Sequence, residues 1–536
     1  MRIIGILILV GCWNLSAGLL RAQVAFESSD IPLITIQTFQ PQIFDEPRIQ
    51  AHMKVIDQPD QSNHPDDPGN EYDGLIEIEL RGASSQFFPK KGYRLETILL
   101  NGQNNNVPLL GMPAENDWIL HGPFSDKSLI RNALTYTIGR DLGHWAPRTR
   151  FCELIINGDY LGVYVLMEKI KVDKNRVDIQ KMGPNDLTGE ALTGGYILKI
   201  DKDNFFNEYA WTGLYGTDFL WEYPEEDEVK VQQQDYIQAF FNDFETALQS
   251  RSFDHPEEGY MPFIDRRSFI DFMLVNELGK NVDGYRISTF MYKTADQDGG
   301  KLHMGPLWDF NLAFGNADYC IQGNPEGWVL NFNQACPQDG WLINPWYDRL
   351  LSDPTYLQAT IERWEELRKG ALSTARLLDL VDELVAEIGD APKRNFERWP
   401  VLGTYVWPNY FVGQTYADEI KYLKDWIRAR LTWIDINLPQ IASQVNGDAS
   451  GLIVEIGPNP VQDQLDFYLR MEIGGSIRFE LTDMQGRMAG GFELERPGGL
   501  ISRYSWKGIS ELAAGVYSYR LIINQLELKR GKLLKY

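Results

Sequence analysis

The chain has 536 residues, a formal net charge of −24 and a hydrophobic fraction of 43%. This length exceeds that of one typical domain, so the sequence predicts two or three domains. The acidic surface would repel polyanionic nucleic acids and anionic lipids, so neither class of molecule is expected as a partner.

The N-terminus has the pattern of a removable signal peptide. Arg2 precedes a short apolar run over residues 3–10, and small residues lead to a polar start after Ala22. This order is typical of secretory signals, so we expect residues 1–22 to be removed and the protein to be secreted or held at the cell surface. The segment ending at Cys12 also fits a lipoprotein cleavage box, which is an alternative. No later segment is apolar over enough residues to form a transmembrane anchor.

The first half of the chain predicts mainly strands. We expect residues 23–74 to form an extended leader, and residues 75–80 and 93–99 to form two paired strands. A helix is predicted over residues 125–142. Further strands are predicted over residues 151–156, 160–168 and 195–201, the first two joined by the hairpin turn Asn157-Gly158.

From residue 232 onwards the apolar residues recur with a helical period. The predicted helices span residues 232–250, 265–280, 353–370, 373–390 and 415–437, and a small hairpin over 287–293 and 301–308 interrupts them. A strand-rich first part followed by a helix-rich second part predicts an α+β fold.

The last part of the chain predicts a separate small domain. Residues 441–451 form a mostly polar linker, and residues 452–536 contain short alternating strands punctuated by Gly and Pro. We expect this region to form an all-β sandwich, with strands over residues 467–470, 477–483, 504–506, 516–523 and 528–534.

Two cysteines flank a loop rich in Gly, Asn and Pro. Cys320 and Cys336 are expected to form a disulfide in an oxidising compartment, and two unpaired thiols are the alternative. Cys152 lies on the apolar side of a predicted strand, so we expect it to be buried.

Several common catalytic chemistries lack their motifs here. The sequence has no Walker A motif, no nucleophile-elbow serine, no His-Glu-x-x-His and no Cys-x-x-Cys, and its six histidines show no metal-ligand spacing. This disfavours P-loop, serine-hydrolase and zinc chemistry.

Two aspartates stand at the ends of predicted elements. Asp283 follows a predicted helix and Asp309 follows a predicted strand, and one hairpin separates them, so the two carboxylates can meet in space. A carboxylate that accepts a proton beside one that binds Mg²⁺ suits phosphoryl transfer. The structural alternative is that Asp283 caps a turn and Asp309 pairs with an arginine. A third reading is an acid and base pair of a carbohydrate-active enzyme.

A basic hairpin is the candidate phosphate-binding segment. Arg81 and Gly82 begin a tight turn whose backbone N–H groups, with Ser85, can approach phosphate, and Lys90 or Lys91 can bridge phosphate oxygens. A solvated basic face is the alternative. Glu168 ends an apolar strand where the backbone can meet an adenine edge, or it marks an ordinary strand exit.

Five motifs in this order resemble those of the CotH (spore coat protein H) kinase family over about residues 75–430, so we expect a kinase-like domain over residues 75–440. They are Arg81-Gly-x-Ser-Ser with Pro89-Lys-Lys-x-Tyr93, Leu129-Ile-Arg-Asn132, Asn157-Gly-x-Tyr-x-Gly-Val-Tyr164, Asn281-x-Asp-Gly-Tyr-Arg286 and Gly305-Pro-x-Trp-Asp-Phe310. The resemblance implies an atypical protein-kinase fold. It also implies transfer of the ATP γ-phosphate, with Mg²⁺ or Mn²⁺, to Ser or Thr of exported proteins.

The resemblance also implies roles for individual residues. Asp283 would be the catalytic acid that orients or deprotonates the acceptor hydroxyl, Asp309 would bind the metal, and Glu168 would mark the hinge against adenine. Ser288 stands where a kinase has the asparagine that holds a second metal, and Asn311 where many relatives have a second aspartate. Both changes weaken metal binding, so a weak or inactive kinase-like adhesin or scaffold is the alternative function.

The C-terminal region resembles a type IX secretion sorting domain. The resemblance rests on Gly457-Pro-Asn-Pro460, Leu512-x-x-Gly-Val-Tyr517 and the basic segment over residues 529–535. It implies the type IX secretion machinery as a partner. An accessory carbohydrate-binding sandwich is the alternative.

Overall fold

The computed structural model describes residues 24–59, 61–202, 209–320, 322–445, 453–457, 461–471, 475–483, 487–496, 500–523 and 526–535. The expected signal peptide and most of the expected linker lie outside these described residues. No helix in these ranges combines the length and the apolar character that crossing a membrane requires.

A closed barrel of seven strands forms the N-terminal part. In chain order the elements are β1 (Leu33–Thr38), β2 (Ile49–Ile56), β3 (Tyr72–Arg81), β4 (Gly92–Ile98), β5 (Val107–Leu109), β6 (Met112–Glu115), β7 (Asp117–His121), α1 (Arg131–Asp141), β8 (Thr149–Ile156) and β9 (Asp159–Glu168). The barrel order is β1-β2-β3-β4-β7-β9-β8, and β5 and β6 form a separate hairpin. Parallel pairing of β1 with β8 closes the barrel.

The predicted hairpins of this region are confirmed. β3 pairs with β4, with Ile78 opposite Leu95, and β8 pairs with β9. The turn between β8 and β9 has φ of 52° at Asn157 and 80° at Gly158. Two successive left-handed residues match the twist of a tight hairpin, which is why this dipeptide was a reliable signal.

The expected extended leader is wrong. Residues 33–38 and 49–56 form β1 and β2, and residue 72 begins β3, so this segment supplies barrel strands. Leu33 and Ile34 are both fully buried, which hides the alternating pattern that marks a one-sided strand. Without β1 and β2 the barrel would present unpaired strand edges.

The segment that follows the barrel combines a five-stranded sheet with helices. Its elements are α2 (Glu190–Thr193), β10 (Tyr196–Ile200), β11 (Tyr209–Thr212), β12 (Asp218–Tyr223), α3 (Val231–Gln249), α4 (Arg266–Gly279), β13 (Thr289–Lys293), β14 (Leu302–Met304), α5 (Phe332–Ala335), α6 (Trp346–Leu351), α7 (Pro354–Arg368), α8 (Thr374–Ile388), α9 (Ala391–Arg398), α10 (Tyr416–Asn437) and α11 (Ile441–Val445). The sheet order is β11-β12-β10-β13-β14. The strand-rich first part and the helix-rich second part are as predicted, although α11 occupies the start of the expected linker.

The C-terminal region folds as two small sheets. Its strands are β15 (Ile453–Gly457), β16 (Leu465–Met471), β17 (Gly475–Thr482), β18 (Met488–Arg496), β19 (Leu500–Trp506), β20 (Gly515–Ile523) and β21 (Leu526–Lys535). The sheets have the orders β15-β16-β19 and β18-β17-β20-β21. Phe467 of one sheet packs against Phe479 of the other, with ring centres 4.8 Å apart, so the two sheets share one apolar core.

Candidate active site

The loops that carry Asp283 and Asp309 come together in the structure. Asp283 lies in the loop after α4, and Asp309 lies in the loop after β14. Burial raises the pKa of Asp283 to about 6, and the charge of Asp309 adds to this rise while Arg286 opposes it. The charge of one carboxylate acts on the other, so the two side chains belong to one electrostatic environment.

Arg286 anchors the Asp283 loop. Its Nη2 donates to Asp283 Oδ1 at 3.2 Å, its Nε donates to the carbonyl of Val282 at 2.8 Å, and its Nη1 donates to Asp339 Oδ1 at 3.0 Å. Asp339 lies just beyond the loop that Cys320 and Cys336 close. The predicted disulfide between these cysteines is confirmed. The segment just after the disulfide-bonded loop therefore supports the position of Asp283 through Arg286.

Helix α1 holds the Asp309 loop. The backbone N–H of Asp309 donates to the hydroxyl of Tyr136 at 3.1 Å, and that of Phe310 donates to Asn132 Oδ1 at 2.7 Å. Arg131 adds a bond from Nε to the carbonyl of Ala313 at 3.0 Å. Asp309 itself has a φ of 58°, a left-handed conformation that side chains rarely adopt and that surrounding contacts must maintain.

Two cations face the acidic pair. Burial raises the pKa of Asp309, and the positive charge of Arg81, at the end of β3, partly offsets this rise. Lys202, which follows β10, acts in the same direction on both Asp283 and Asp309. The Arg81 guanidinium lies 5.5 Å from the ring centre of Trp308, next to Asp309 in the chain. Arg81 was predicted to bind nucleotide, whereas Lys202 was not identified from the sequence.

A third carboxylate belongs to this group. Burial raises the pKa of Asp201, while hydrogen bonds from the backbone N–H groups of Lys202 and Ser288 oppose that rise. The charge of Asp201 in turn raises the pKa values of both Asp283 and Asp309. Ser288 thus contributes its backbone N–H to Asp201, and its φ of 49° places it in the left-handed region.

The two predicted phosphate-binding lysines are placed elsewhere. The ammonium of Lys90 is buried, donates to Asn395 Oδ1 on α9 at 2.7 Å and to the carbonyl of Pro123 at 3.3 Å, and lies over the ring of Tyr164. Lys91 Nζ donates to the carbonyl of Gln86 at 2.5 Å, within its own hairpin. Lys90 is a structural link between the barrel and α9, because a buried ammonium needs acceptors of its own.

The contacts described for Ser85 and Glu168 also do not include the acidic pair. Ser85 is exposed in a short 3₁₀ turn, where a Cβ on Gly82 would meet its hydroxyl, so Gly82 is required there. Glu168 is fully buried, and its carboxylate accepts from the backbone N–H of Arg148 at 2.9 Å and from Arg148 Nη1 at 2.8 Å. The side chain of Glu168 therefore fixes the end of β9. The hinge role implied by the resemblance concerns its backbone and stays a prediction.

Four aromatic side chains, three of them exposed and one half-buried, lie on segments connected to the Asp283 loop. Trp341 is 42% exposed, its carbonyl accepts from Arg286 Nη1 at 3.2 Å, and its ring lies 5.5 Å from the ammonium of Lys202. The charge of Asp283 contributes to a raised pKa of Tyr319. The Tyr319 ring stacks on Trp407, which is 51% exposed. Tyr405, 52% exposed, donates its hydroxyl to Asp318. We call Trp341, Tyr319, Tyr405 and Trp407 the aromatic rim.

The residues present fit a metal-bound nucleotide. Within the described ranges, no three His, Cys, Asp or Glu side chains form a ready-made metal cage. Mg²⁺ does not require one, since it commonly binds through one or two carboxylates together with substrate phosphates. Asp309 and Asp201 are the carboxylates of this group that are not paired with Arg286, and they would hold the metal. Arg81 and Lys202 would supply positive charge for phosphate oxygens.

Comparison with known proteins identifies the family to which this chain belongs. A family model described as CotH kinase protein matches residues 78–434, which is more than half of the chain. The chain belongs to the CotH kinase family, and this membership indicates a kinase-like function. The motif resemblance seen in the sequence is thereby confirmed for this region. No curated protein matches the chain.

Two solved structures give only distant likenesses. The crystal structure of dimeric latent PorU from Porphyromonas gingivalis is 20% identical, covers 15% of this chain and 9% of its own, and has a TM-score of 0.14. The Pseudomonas fluorescens alkylpurine DNA glycosylase AlkC bound to DNA containing an abasic site analog is 12% identical, covers 39% of this chain and 64% of its own, and has a TM-score of 0.13. Neither likeness carries an argument about fold or function.

Proposed function

We propose that this chain is an exported protein kinase that transfers the γ-phosphate of ATP to serine or threonine hydroxyls of exported proteins. The main support is the joint electrostatic environment of Asp283, Asp309, Arg81 and Lys202, which come from four separate segments of the CotH region. Grouping buried charges of both signs is costly for stability, so such a group is a functional-site candidate. Phosphoryl transfer uses this combination of carboxylates and cations.

Asp283 has the properties of the general base. Its pKa of about 6 leaves it a carboxylate at neutral pH, yet a stronger base than an exposed aspartate. It would accept the proton of the acceptor hydroxyl while the hydroxyl oxygen bonds to the γ-phosphorus. The bond from that phosphorus to the β,γ-bridging oxygen then breaks, and ADP leaves.

Asp309 and Asp201 would hold Mg²⁺ or Mn²⁺, and Arg81 and Lys202 would bind phosphate oxygens. The metal supplies neutralisation of the phosphate charge when it is bound. Helix α1 positions Asp309 through its bond to Tyr136. This contact links α1, which lies between barrel strands β7 and β8 in the chain, to the loop of Asp309. We propose an atypical kinase fold because the chain belongs to the CotH kinase family.

The inactive adhesin or scaffold is the second candidate, because Ser288 and Asn311 replace stronger metal ligands. The position of Asp201 disfavours this alternative. Its carboxylate accepts a hydrogen bond from the Ser288 N–H and acts on both Asp283 and Asp309, so it could replace a missing metal ligand. The carbohydrate-active alternative would be favoured by a carboxyl pair without nearby cations, and Arg81 and Lys202 disfavour it.

We also propose export and a docking surface for the acceptor. The signal-peptide pattern of residues 1–22 supports export. The sorting-domain motifs within residues 452–536 support the type IX secretion machinery as a partner. The aromatic rim adjoins Asp283 through Arg286 and Tyr319, so an acceptor segment lying on it would reach the base.

The test is phosphate incorporation by the purified full chain. The chain is incubated with γ-labelled ATP, Mg²⁺ or Mn²⁺, and dephosphorylated casein as the acceptor. We expect incorporation that Asp309→Ala abolishes and that Asp66→Ala, an exposed control, retains. Phosphate incorporation that persists in Asp309→Ala would contradict the assignment of a kinase that uses Asp309. Absence of incorporation with both metals would favour the inactive adhesin or scaffold.

A further inference from the structure

The arginine that pairs with the proposed general base, Arg286, is held by residues on both sides of Cys336. Its Cζ lies 4.0 Å from the ring centre of Phe332, which precedes Cys336. Its Nη1 donates to Asp339 Oδ1 at 3.0 Å and to the carbonyl of Trp341 at 3.2 Å, and both of these residues follow Cys336. Only 3% of the Arg286 side chain is exposed, so the position of its guanidinium depends on these partners.

Residues 337–342, which we call the clamp segment, are weakly tied to the rest of the molecule. All of them except Asp339 are exposed. Among the described residues, the hydrogen bonds of the clamp segment reach only Cys336, Arg286 and Asp339 itself. Exposed segments with so few contacts open easily, so the covalent bond at Cys336 is an important fixed point for the clamp segment.

The disulfide ties the clamp segment to the chain that follows the Asp309 loop. Cys336 is bonded to Cys320. Just before Cys320, the backbone N–H of Asp318 donates to the carbonyl of Pro408 at 2.9 Å, so this end of the cross-link is itself anchored. A cross-link removes conformational freedom from the chain that it closes. Without it, the clamp segment gains freedom next to the active site.

We propose that formation of the disulfide between Cys320 and Cys336 switches this chain from an inactive to an active kinase, an inference that rests on the proposed function. In the reduced chain the clamp segment moves, and Arg286 loses its fixed partners. The carboxylate of Asp283 is then no longer held where it can accept the proton of the acceptor hydroxyl. A kinase of exported proteins would stay inactive in the reducing compartment where it is made and gain activity in an oxidising one.

The switching step is a thiol–disulfide exchange with a disulfide oxidant. The thiols of Cys320 and Cys336 together give up two protons and two electrons as their sulfur–sulfur bond forms. The oxidant accepts both, its own disulfide bond breaks, and it leaves as two thiols.

The test measures the full chain in two redox states. The chain is purified with dithiothreitol present throughout, and half of it is then treated with oxidised glutathione; mass spectrometry after thiol alkylation identifies the disulfide. We expect oxidation to raise kcat for casein phosphorylation by about tenfold to a hundredfold, because small displacements of a catalytic group are costly. The KM for ATP should change by less than about twofold, because helix α1 and not the clamp segment positions Asp309. The double variant Cys320→Ser with Cys336→Ser should match the reduced chain and should not respond to glutathione.

A second comparison shows whether the disulfide acts through Arg286. Asp339→Ala removes one partner of Arg286, so it should lower kcat of the oxidised chain and reduce the response to oxidation to less than about threefold, since the two changes share one contact. Asp382→Ala, at an exposed aspartate that pairs with Lys424, should keep the full response. Oxidation should also move the acidic limb of the pH profile of kcat/KM down, because Arg286 lowers the pKa of Asp283 when it is held in place.

Several outcomes would overturn the proposal. They are a reduced chain as active as the oxidised one, a double variant with the activity of the oxidised chain, and an Asp339→Ala variant that responds to oxidation as fully as Asp382→Ala. Loss of the far-UV circular dichroism on reduction would show general unfolding and would also overturn it. If neither redox state incorporates phosphate, the proposed function fails and the switch fails with it, whereas equal activity in both states overturns the switch alone.

Discussion

Replacing Asp283 with asparagine should stabilise the protein while it removes activity. In the folded protein the pKa of Asp283 is about 6, against an ordinary value of 3.8, because burial outweighs the attraction of Arg286. One pKa unit corresponds to about 1.4 kcal/mol, so the ionised carboxylate reduces the free energy of unfolding by roughly 3 kcal/mol at pH 8. Asparagine has nearly the same shape and carries no charge, so it resembles the protonated form.

The sign of the pH dependence follows from the direction of the shift. A group whose pKa is raised on folding contributes its full stability below the unfolded value and loses it as the pH rises through the folded value. The stability gained by Asp283→Asn should therefore be near zero below pH 4 and grow between about pH 4 and pH 6. It should level off at about 2–3 kcal/mol above pH 7.

The assay is urea unfolding of the full chain, followed by tryptophan fluorescence at pH 4, 6 and 8. Asp66→Asn, a change at an exposed aspartate, is the matched control and should alter the free energy of unfolding by less than about 0.5 kcal/mol. A gain that does not vary with pH, or a loss of stability at pH 8, would refute the view that burial dominates the environment of Asp283.

Three other changes test the parts of the site. Arg286→Gln removes the cation 3.2 Å from Asp283, so the acidic limb of the pH profile of kcat/KM should move up by about one to three pH units. Arg286→Lys should move this limb by less. An unchanged acidic limb in Arg286→Gln would exclude Asp283 as the base. Lys202→Met should weaken ATP binding about tenfold or more in fluorescent-nucleotide displacement, whereas Lys90→Met should change it by less than about twofold, and the reverse ranking would restore Lys90 as the phosphate ligand. Trp407→Ala should raise the KM for casein severalfold while the KM for ATP stays constant, and a rise in both would place Trp407 at the nucleotide instead.

Local signals in the sequence predicted the elements that carry the site. The sequence predicts the β8–β9 turn because Asn157 and Gly158 both adopt positive φ readily, and it predicts α4 from the helical period of its apolar residues. The prediction failed for β1 and β2. These strands are defined by pairing with strands far along the chain, and residues buried on both faces do not alternate.

Charged side chains were harder to assign than elements. Lys90 and Lys91 are adjacent basic residues in a suitable hairpin, but the sequence does not show that Asn395 of α9 accepts a hydrogen bond from Lys90. Lys202 and Asp201 follow β10, and only the pairing of β10 with β13 brings them beside the Asp283 loop. Their positions depend on the sheet order, which no local pattern encodes.

The most direct test of the proposed site is ATP binding to the full chain, measured by titration calorimetry with and without Mg²⁺. The site described here predicts that Mg²⁺ tightens ATP binding, and that Asp309→Ala abolishes the effect of Mg²⁺ while Asp66→Ala preserves it. Absence of ATP binding, or an unchanged effect of Mg²⁺ in Asp309→Ala, would contradict the assignment of Asp309 and its neighbours as the nucleotide and metal site.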